Sequence, residues 1–527
     1  MRENSGREIE AKMSEKGEDL SAHTTARGML FISTKDLSST LAAVVFFVLV
    51  ARYLPNIDDL GFLTGIQTII LMFIVLSGFG LPNSATRFIS TYLGSGKVDR
   101  ASFLYPAVFA LCVISSAAFS FLLYYLSPFL SESLFHGQQY TSLVQATSLD
   151  VFLSSMIFTC QLLLYASKQF SRVAYFSIAN SVIKFTLAYI LLIHGWGLYG
   201  IVIGLIVGDA IGLSLFVITL SPRIFKRTKL SPFYILSELK PLFRFSLPLY
   251  GSLILNFVSS RIDVYFLMVL STLYAVGLYS PALFVANTFL LVLLSIDQGL
   301  LPITGRIFGR RGLSDFKYVS RLASRYLFLV YLPMGIAIAA SAPTLITLVM
   351  GERFADSTYP VMIIVLGITL TSPVIIFNNL LRSAGYSGTL LVNEAISIAV
   401  QILLLATLIP TFGIIGAAIA KFLSRLIYLI YPSIKLNQLG GLDYDTTALK
   451  NGLAGSCIIG FLIVIMNVVI TQPYYYLPIT YTISFLAYLF FLRISHALNR
   501  NDVEFIDKIL MGKMRLLTTV ISKIVIS

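Results

Sequence analysis

The sequence predicts an all-α polytopic membrane protein with about 14 transmembrane helices, arranged as two six-helix lobes in parallel repeat plus an extra helix pair. Three observations carry this. Hydrophobic residues make up 57% of the 527 positions and charged residues only 12%, far from the usage of a soluble globular chain. The apolar runs are long enough to cross a bilayer as helices, and 31 of the 38 Lys and Arg residues gather in alternate connections. Glycines also recur in register: Gly277 follows Gly61 by 216 residues, and Gly413 and Gly416 follow Gly197 and Gly200 by the same interval.

Fourteen spans are predicted near residues 29–51, 60–81, 103–127, 143–166, 173–193, 197–221, 245–269, 275–301, 326–350, 358–381, 388–409, 412–432, 451–471 and 474–492. With the N-terminus in the cytosol, the even-numbered loops and both tails hold those 31 basic residues, while the odd-numbered loops hold Arg52 and Arg353. Excess Lys and Arg marks the cytosolic side. The net charge of +13 is therefore topological, and no nucleic-acid partner is needed. The organisation expected is a cytosolic tail (1–28), an N-lobe (29–221), a cytosolic linker (222–244), a C-lobe (245–436), an extra helix pair (437–499) and a cytosolic tail (500–527). The first 26 residues mix acidic and basic side chains and do not form a secretory signal. The last tail spaces Val503, Ile506, Leu510, Met514, Leu517, Ile521 and Ile524 for an amphipathic helix. The inner loops 221–244 and 304–325, with Arg223, Lys226, Arg227, Arg310 and Arg311 among their bases, are expected to meet anionic lipid head groups. Cys112, Cys160 and Cys457 all fall within apolar spans and are expected to be buried, with no disulfide framework.

The two halves share more than length. The second span of each ends in a turn, at Gly80-Leu81-Pro82 and at Gly299-Leu300-Leu301-Pro302, followed by Arg87 and Arg306. Six spans is an even number, so both halves enter the membrane from one side as parallel repeats. In transporters built this way the substrate site lies between the halves.

Arg52-Tyr53-Leu54-Pro55, Gly61, Gly78-Phe79-Gly80-Leu81 and Arg87-Phe88 resemble the first two spans of polysaccharide and lipid-linked oligosaccharide flippases of the multidrug/oligosaccharidyl-lipid/polysaccharide exporter superfamily. Arg261-x-Asp263 with Val276-Gly277-Leu278-Tyr279-Ser280 resembles their seventh and eighth spans. Gly351-Glu352-Arg353-Phe354 with Gly385 resembles the stretch around their tenth. The resemblance covers most of residues 29–436 and implies two six-helix lobes in a V that alternate between inward- and outward-open states. It implies a flippase carrying an anionic lipid-linked oligosaccharide or polysaccharide precursor from the inner to the outer leaflet of the cell membrane, acting as a monomer, with glycan-assembly enzymes as further partners. Spans 13 and 14 resemble the additional pair of the lipid II flippase branch.

Five cations lie inside spans: Lys35, Lys184, Arg261, Lys421 and Arg425. Such residues are expensive in lipid and face a bundle interior, a partner or a wet cavity. They are the candidate substrate-binding set, because Arg offers a bidentate fork and Lys a point charge to a phosphate. The competing expectation is pairing with the buried acids Asp36, Asp150, Asp209, Asp263, Asp297 and Glu394. Arg87 and Arg306 are candidates for guiding the head group in. Ser252, Asn256, Ser260 and Asp263 share one helical face, with Arg261 roughly 160–200° away from Asp263. The resemblance implies that Asp263 and Glu394 couple transport to sodium or a proton, and Asp36 offers a similar site in the other lobe; no other cofactor is expected.

Several signals are weak. Gly94-Ser95-Gly96-Lys97 lacks the glycine needed to make a full phosphate loop. Asp443-Tyr444-Asp445 has the spacing of a glycosyltransferase metal motif but no accompanying domain. His23, His136, His194 and His496 are too scattered for a triad or zinc site. The rivals are a cation-coupled multidrug exporter of the same superfamily, which needs an acid-lined cavity, and a membrane glycosyltransferase or polymerase, which needs an outer domain that the short outer loops exclude.

Overall fold

A computed structural model describes residues 28, 30–224, 232–311, 316–469 and 473–497. Apart from short connections, the described residues are helical, as lipid demands of a backbone that must satisfy its own hydrogen bonds. In order, the helices are α1 (Leu30–Tyr53), α2 (Ile57–Gly78), α3 (Leu81–Gly94), α4 (Val98–Phe135), α5 (Thr141–Ala166), α6 (Phe170–Leu191), α7 (Gly197–Ile224) and α8 (Pro232–Leu270). There follow α9 (Leu273–Arg311), α10 (Phe316–Tyr326), α11 (Leu332–Met350), α12 (Thr358–Leu370), α13 (Val374–Ser383), α14 (Ser387–Gln438), α15 (Thr446–Val469) and α16 (Pro473–Ile494).

Twelve helical stretches among the described residues are long and apolar enough to cross a membrane. Two exceed a single crossing: Phe170–Ile224 has 55 residues and Gly388–Gln438 has 51. Each folds back on itself. In the first, a Cβ on Gly204, Gly208 or Gly212 would collide with Ala188, Lys184 or Asn180 respectively, so α6 and α7 run antiparallel in tight contact. In the second, Asn393 Nδ2 donates to the Tyr428 carbonyl and Ser397 Oγ to the Ser424 carbonyl, which pairs the two arms of α14 in the same sense. Counting each hairpin as two passes gives the expected fourteen. The reversals use matching residues: Gly197 has φ 54°, ψ −137° and Gly413 has φ 55°, ψ −130°. That region is open essentially to glycine alone. The interval of 216 residues is thus a repeat of backbone geometry.

The chain forms two compact units, one holding residues up to Pro55 with Gly65–Phe257, the other Asn56–Thr64 with Val258 onward. In the first, α3, α4, α5 and α7 enclose a core of Ile89, Phe103, Leu104, Met156, Leu164 and Phe216. The beginning of α8 joins this unit: Ser246 Oγ donates to the Phe79 carbonyl and the Tyr250 hydroxyl to the Leu76 carbonyl. In the second unit, α15 and α16 pack on α11 around Leu329, Ile459, Ile463 and Tyr488. A five-residue π-helical segment, Leu327–Tyr331, precedes α11. Pro333 follows it, and with no N–H to give to residue 329 it leaves that turn free to widen.

Two expectations need correction, the turn at Gly299–Pro302 and the burial of Cys457. The turn expected at Gly299–Pro302 does not form, because α9 stays helical to Arg311; lipid-embedded helices tolerate glycine and proline. Within the expected linker 222–244, α8 begins at Pro232 and Glu238 is buried, accepting a hydrogen bond from the Tyr92 hydroxyl and pairing with Arg100. Lys226, Arg227 and Lys229 lie outside the described residues. Cys457 is exposed on α15, whereas Cys112 and Cys160 are buried. Both expected tails, 1–28 but for Gly28 and 500–527, also lie outside the described residues.

The Asp443-x-Asp445 motif has a structural use. Asp445 accepts the Ala448 N–H at the start of α15 and pairs with Arg325 at 3.1 Å, while Asp443 faces Arg321 at 3.9 Å. Asp445→Ala removes a helix cap and takes from the half-buried Arg325 its carboxylate partner, leaving it the Ala497 carbonyl. The expected cost is about 3 kcal/mol, read as a lower unfolding midpoint of the purified protein, with Asp443→Ala near neutral.

Candidate functional site

The second unit holds a buried cluster at which α8, α9 and α14 bring their charges together. Asp263 is fully buried. Its Oδ2 accepts the Lys421 ammonium at 2.7 Å and the Tyr279 hydroxyl at 2.7 Å, and Lys421 also donates to the Ser260 carbonyl at 3.1 Å. The polar stripe on α8 therefore ends in the two residues that hold Lys421. Arg261 and Arg425 both stand within electrostatic reach of Lys421. Arg425, one helical turn after Lys421, faces Tyr331, Tyr428, Asp263 and Glu394. Glu394 sits against the Tyr428 hydroxyl, which also accepts Asn378 Nδ2 at 3.0 Å. Among the described residues neither arginine forms an ion pair. Arg382 also acts on Tyr428, so among the described residues four cations meet two carboxylates here, an excess of positive charge suited to an anion.

The first unit carries the opposite sign. Asp209 on α7 accepts Ser154 Oγ at 2.8 Å and Asn180 Nδ2 at 2.9 Å and pairs with Lys184 at 3.3 Å. Asp150 on α5 lies beside Asp209. Lys184 thus serves an acidic centre. On α1, Lys35 pairs with its neighbour Asp36 at 2.9 Å, although adjacent helical positions diverge by about 100°; the long lysine chain spans the difference.

A family model described as polysaccharide biosynthesis protein matches residues 25–308, just over half of the sequence. The chain belongs to that family. An uncharacterized membrane protein of Methanocaldococcus jannaschii is 23% identical over 428 residues, covering 76% of this chain and 82% of the relative. Among solved structures, the lipid II flippase MurJ in an inward-closed conformation superposes with a TM-score of 0.71 at 15% identity, covering 88% of this chain and 98% of that one. An inward-facing multidrug resistance MATE family transporter of the MOP superfamily gives 0.63 at 14% identity, covering 78% and 99%. The Vibrio cholerae MATE transporter VcmN in its bent form gives 0.55 at 18% identity, covering 79% and 98%. These neighbours are flippases and transporters, not enzymes, and the fold is theirs.

Of the family-fold residues singled out by sequence, Arg87 is exposed and lies over the Phe245 ring, 4.3 Å from its centroid. The Arg306 side chain lies outside the described residues, as does that of Asp297. Of the five cations expected to bind substrate, Lys35, Lys184 and Lys421 pair with Asp36, Asp209 and Asp263. Arg261 and Arg425 are the two whose charge no carboxylate among the described residues takes up directly. Sequence reading missed an apolar groove of about 580 Å³ between α10–α11 and the pair α15–α16, lined by Tyr326, Met334, Ile338, Ile459, Tyr481 and Phe485. Its one signal was the run of tyrosines and phenylalanines through residues 474–491.

Proposed function

We propose that this protein carries an anionic lipid-linked oligosaccharide or polysaccharide precursor from the inner to the outer leaflet of the cell membrane, by alternating access of its two halves with both termini cytosolic. The observation that carries the reading is the excess of positive charge that the half-buried Arg261 and Arg425 add around the buried Lys421–Asp263 pair of the second unit. Arg425 and Arg261 are its proposed contacts to the sugar phosphate, and Lys421 sets their position through Asp263. The groove along α11, α15 and α16 offers apolar surface to the lipid tail, and membrane lipids are its ordinary surroundings. An inside-negative potential of about 100 mV favours outward movement by about 2.3 kcal/mol for each uncompensated negative charge. The protein works as a monomer, supplied by enzymes that assemble the glycan on its lipid. A multidrug exporter would need an acidic chamber for cationic cargo, and the basic cluster of the second unit supports the anionic reading against it.

The test is a proteoliposome carrying a fluorescent lipid-linked oligosaccharide. The wild type should move label between leaflets, and Arg425→Gln should slow that movement roughly tenfold or more, the worth of a charge-assisted hydrogen bond. Export of ethidium-like cations with no lipid movement would overturn the reading.

A further inference from the structure

The acidic centre of the first unit does work that the basic cluster does not. Asp150 is 7% exposed and its Oδ1 has no hydrogen-bond donor among the described residues. Ser154, one turn after Asp150 on α5 and on the same helix face, donates to Asp209 and so places Asp150 beside that carboxylate, which is 1% exposed and whose two oxygens already receive Ser154, Asn180 and Lys184. The three helices bring no further ionisable charge. Between Arg172 and His194 the only charged residue is Lys184, between Gly197 and Pro222 only Asp209, and along α5 only Asp150. The helix α4 packed against them has no Asp, Glu, Lys, Arg or His between Arg100 and Glu132, only Cys112 and tyrosines. On α3 the one charge is Arg87, committed to Phe245. On α1 the charges are Lys35 and Asp36, which neutralise each other, and Arg52, one residue from the end of the helix.

The centre therefore holds two carboxyl groups and a single ammonium in a low-dielectric setting. Fully ionised, it would keep an uncompensated negative charge on two neighbouring carboxylates, which such an interior does not sustain. One more unit of positive charge closes the balance. We infer that Asp150 and Asp209 share a bound proton, making this pair a proton-binding site of the first unit. The occupant is a proton and not a metal ion for two reasons. Lys184 already fills the cation position at Asp209, and among the described residues no group of three or more His, Cys, Asp or Glu side chains could hold a metal. The proton resides on one carboxyl oxygen and is hydrogen-bonded by the other group. On leaving, it gives a carboxylate pair balanced only in part by Lys184. The neighbourhood is built for small changes to matter: Gly208 and Gly212 press α7 directly against Lys184 and Asn180, so movement between α6 and α7 alters the charge that stabilises the deprotonated pair.

This inference is independent of the cargo, and its test needs none. Infrared difference spectra of the full-length protein, titrated in lipid nanodiscs in water and in D₂O, should show a protonated-carboxyl band that is isotope-sensitive and titrates. Asp150→Asn and Asp209→Asn should each abolish the band, because either leaves one carboxylate balanced by one ammonium. Asp36→Asn should leave it intact. A wild type with no such band, or a band surviving Asp150→Asn, would overturn the inference, as would loss of the band on adding sodium at constant pH.

Discussion

Lys421→Met should lower the stability of the purified protein by about 3–5 kcal/mol, the usual cost of removing one member of a buried ion pair. The substitution keeps the length and apolar stem of the side chain. What it removes is the ammonium 2.7 Å from a carboxylate with no exposed surface. Among the described residues Tyr279 would then be the one remaining donor to Asp263, and a buried carboxylate left with one neutral hydrogen bond is strongly disfavoured. A second change, Asp263→Asn, should recover most of the loss, since the pair is then absent as a whole. Thermal unfolding in detergent of the single and double variants reads both effects. A Lys421→Met protein as stable as the wild type would mean that the two groups do not form a buried charge pair.

Gly61→Ala should be comparably damaging for a steric reason. A Cβ at Gly61 would stand 1.9 Å from the Leu273 carbonyl oxygen, and one at Gly277 would stand 2.3 Å from that of Ile57. The contacts are reciprocal, each glycine meeting a residue four positions before the other, so α2 and α9 cross with their backbones touching. The obstructing atoms belong to the main chain and cannot rotate aside, so the helices must separate. Overpacking of this kind costs about 1–3 kcal/mol or more. Gly251→Ala is the control: its Cβ would meet nothing within 4 Å, and alanine favours the helix by about 1 kcal/mol. Equal unfolding midpoints for Gly61→Ala and Gly251→Ala would contradict the crossing.

Much of this fold could be read from residue order because lipid imposes a simple rule on composition. Fourteen apolar runs and the glycine interval of 216 residues led to passes and repeats that the helices reproduce, down to the backbone angles of Gly197 and Gly413. The turn at Gly299 failed because a Gly-Leu-Leu-Pro sequence breaks a helix in water more readily than in a bilayer. The site was legible as a set of residue types and not as a set of partnerships. Lys421 and Asp263 are 158 positions apart, and no local spacing reveals that they meet. Asp150 and Asp209 stood out only as acids in apolar runs; their adjacency depends on how α5 and α7 pack. Lys35 and Asp36 illustrate the reverse limit, since side-chain length overrode what helical angle alone suggested.

The loop-free reversals at Gly197 and Gly413 also bear on how sidedness is to be mapped. An epitope, a glycan acceptor or a reporter fused at either bend has no slack chain to occupy and would pry open the hairpin it was meant to locate. An insertion at the short connection at Gly96, where the chain turns without pressing on a neighbour, leaves the paired arms undisturbed and gives the cleaner readout of which membrane face that connection occupies.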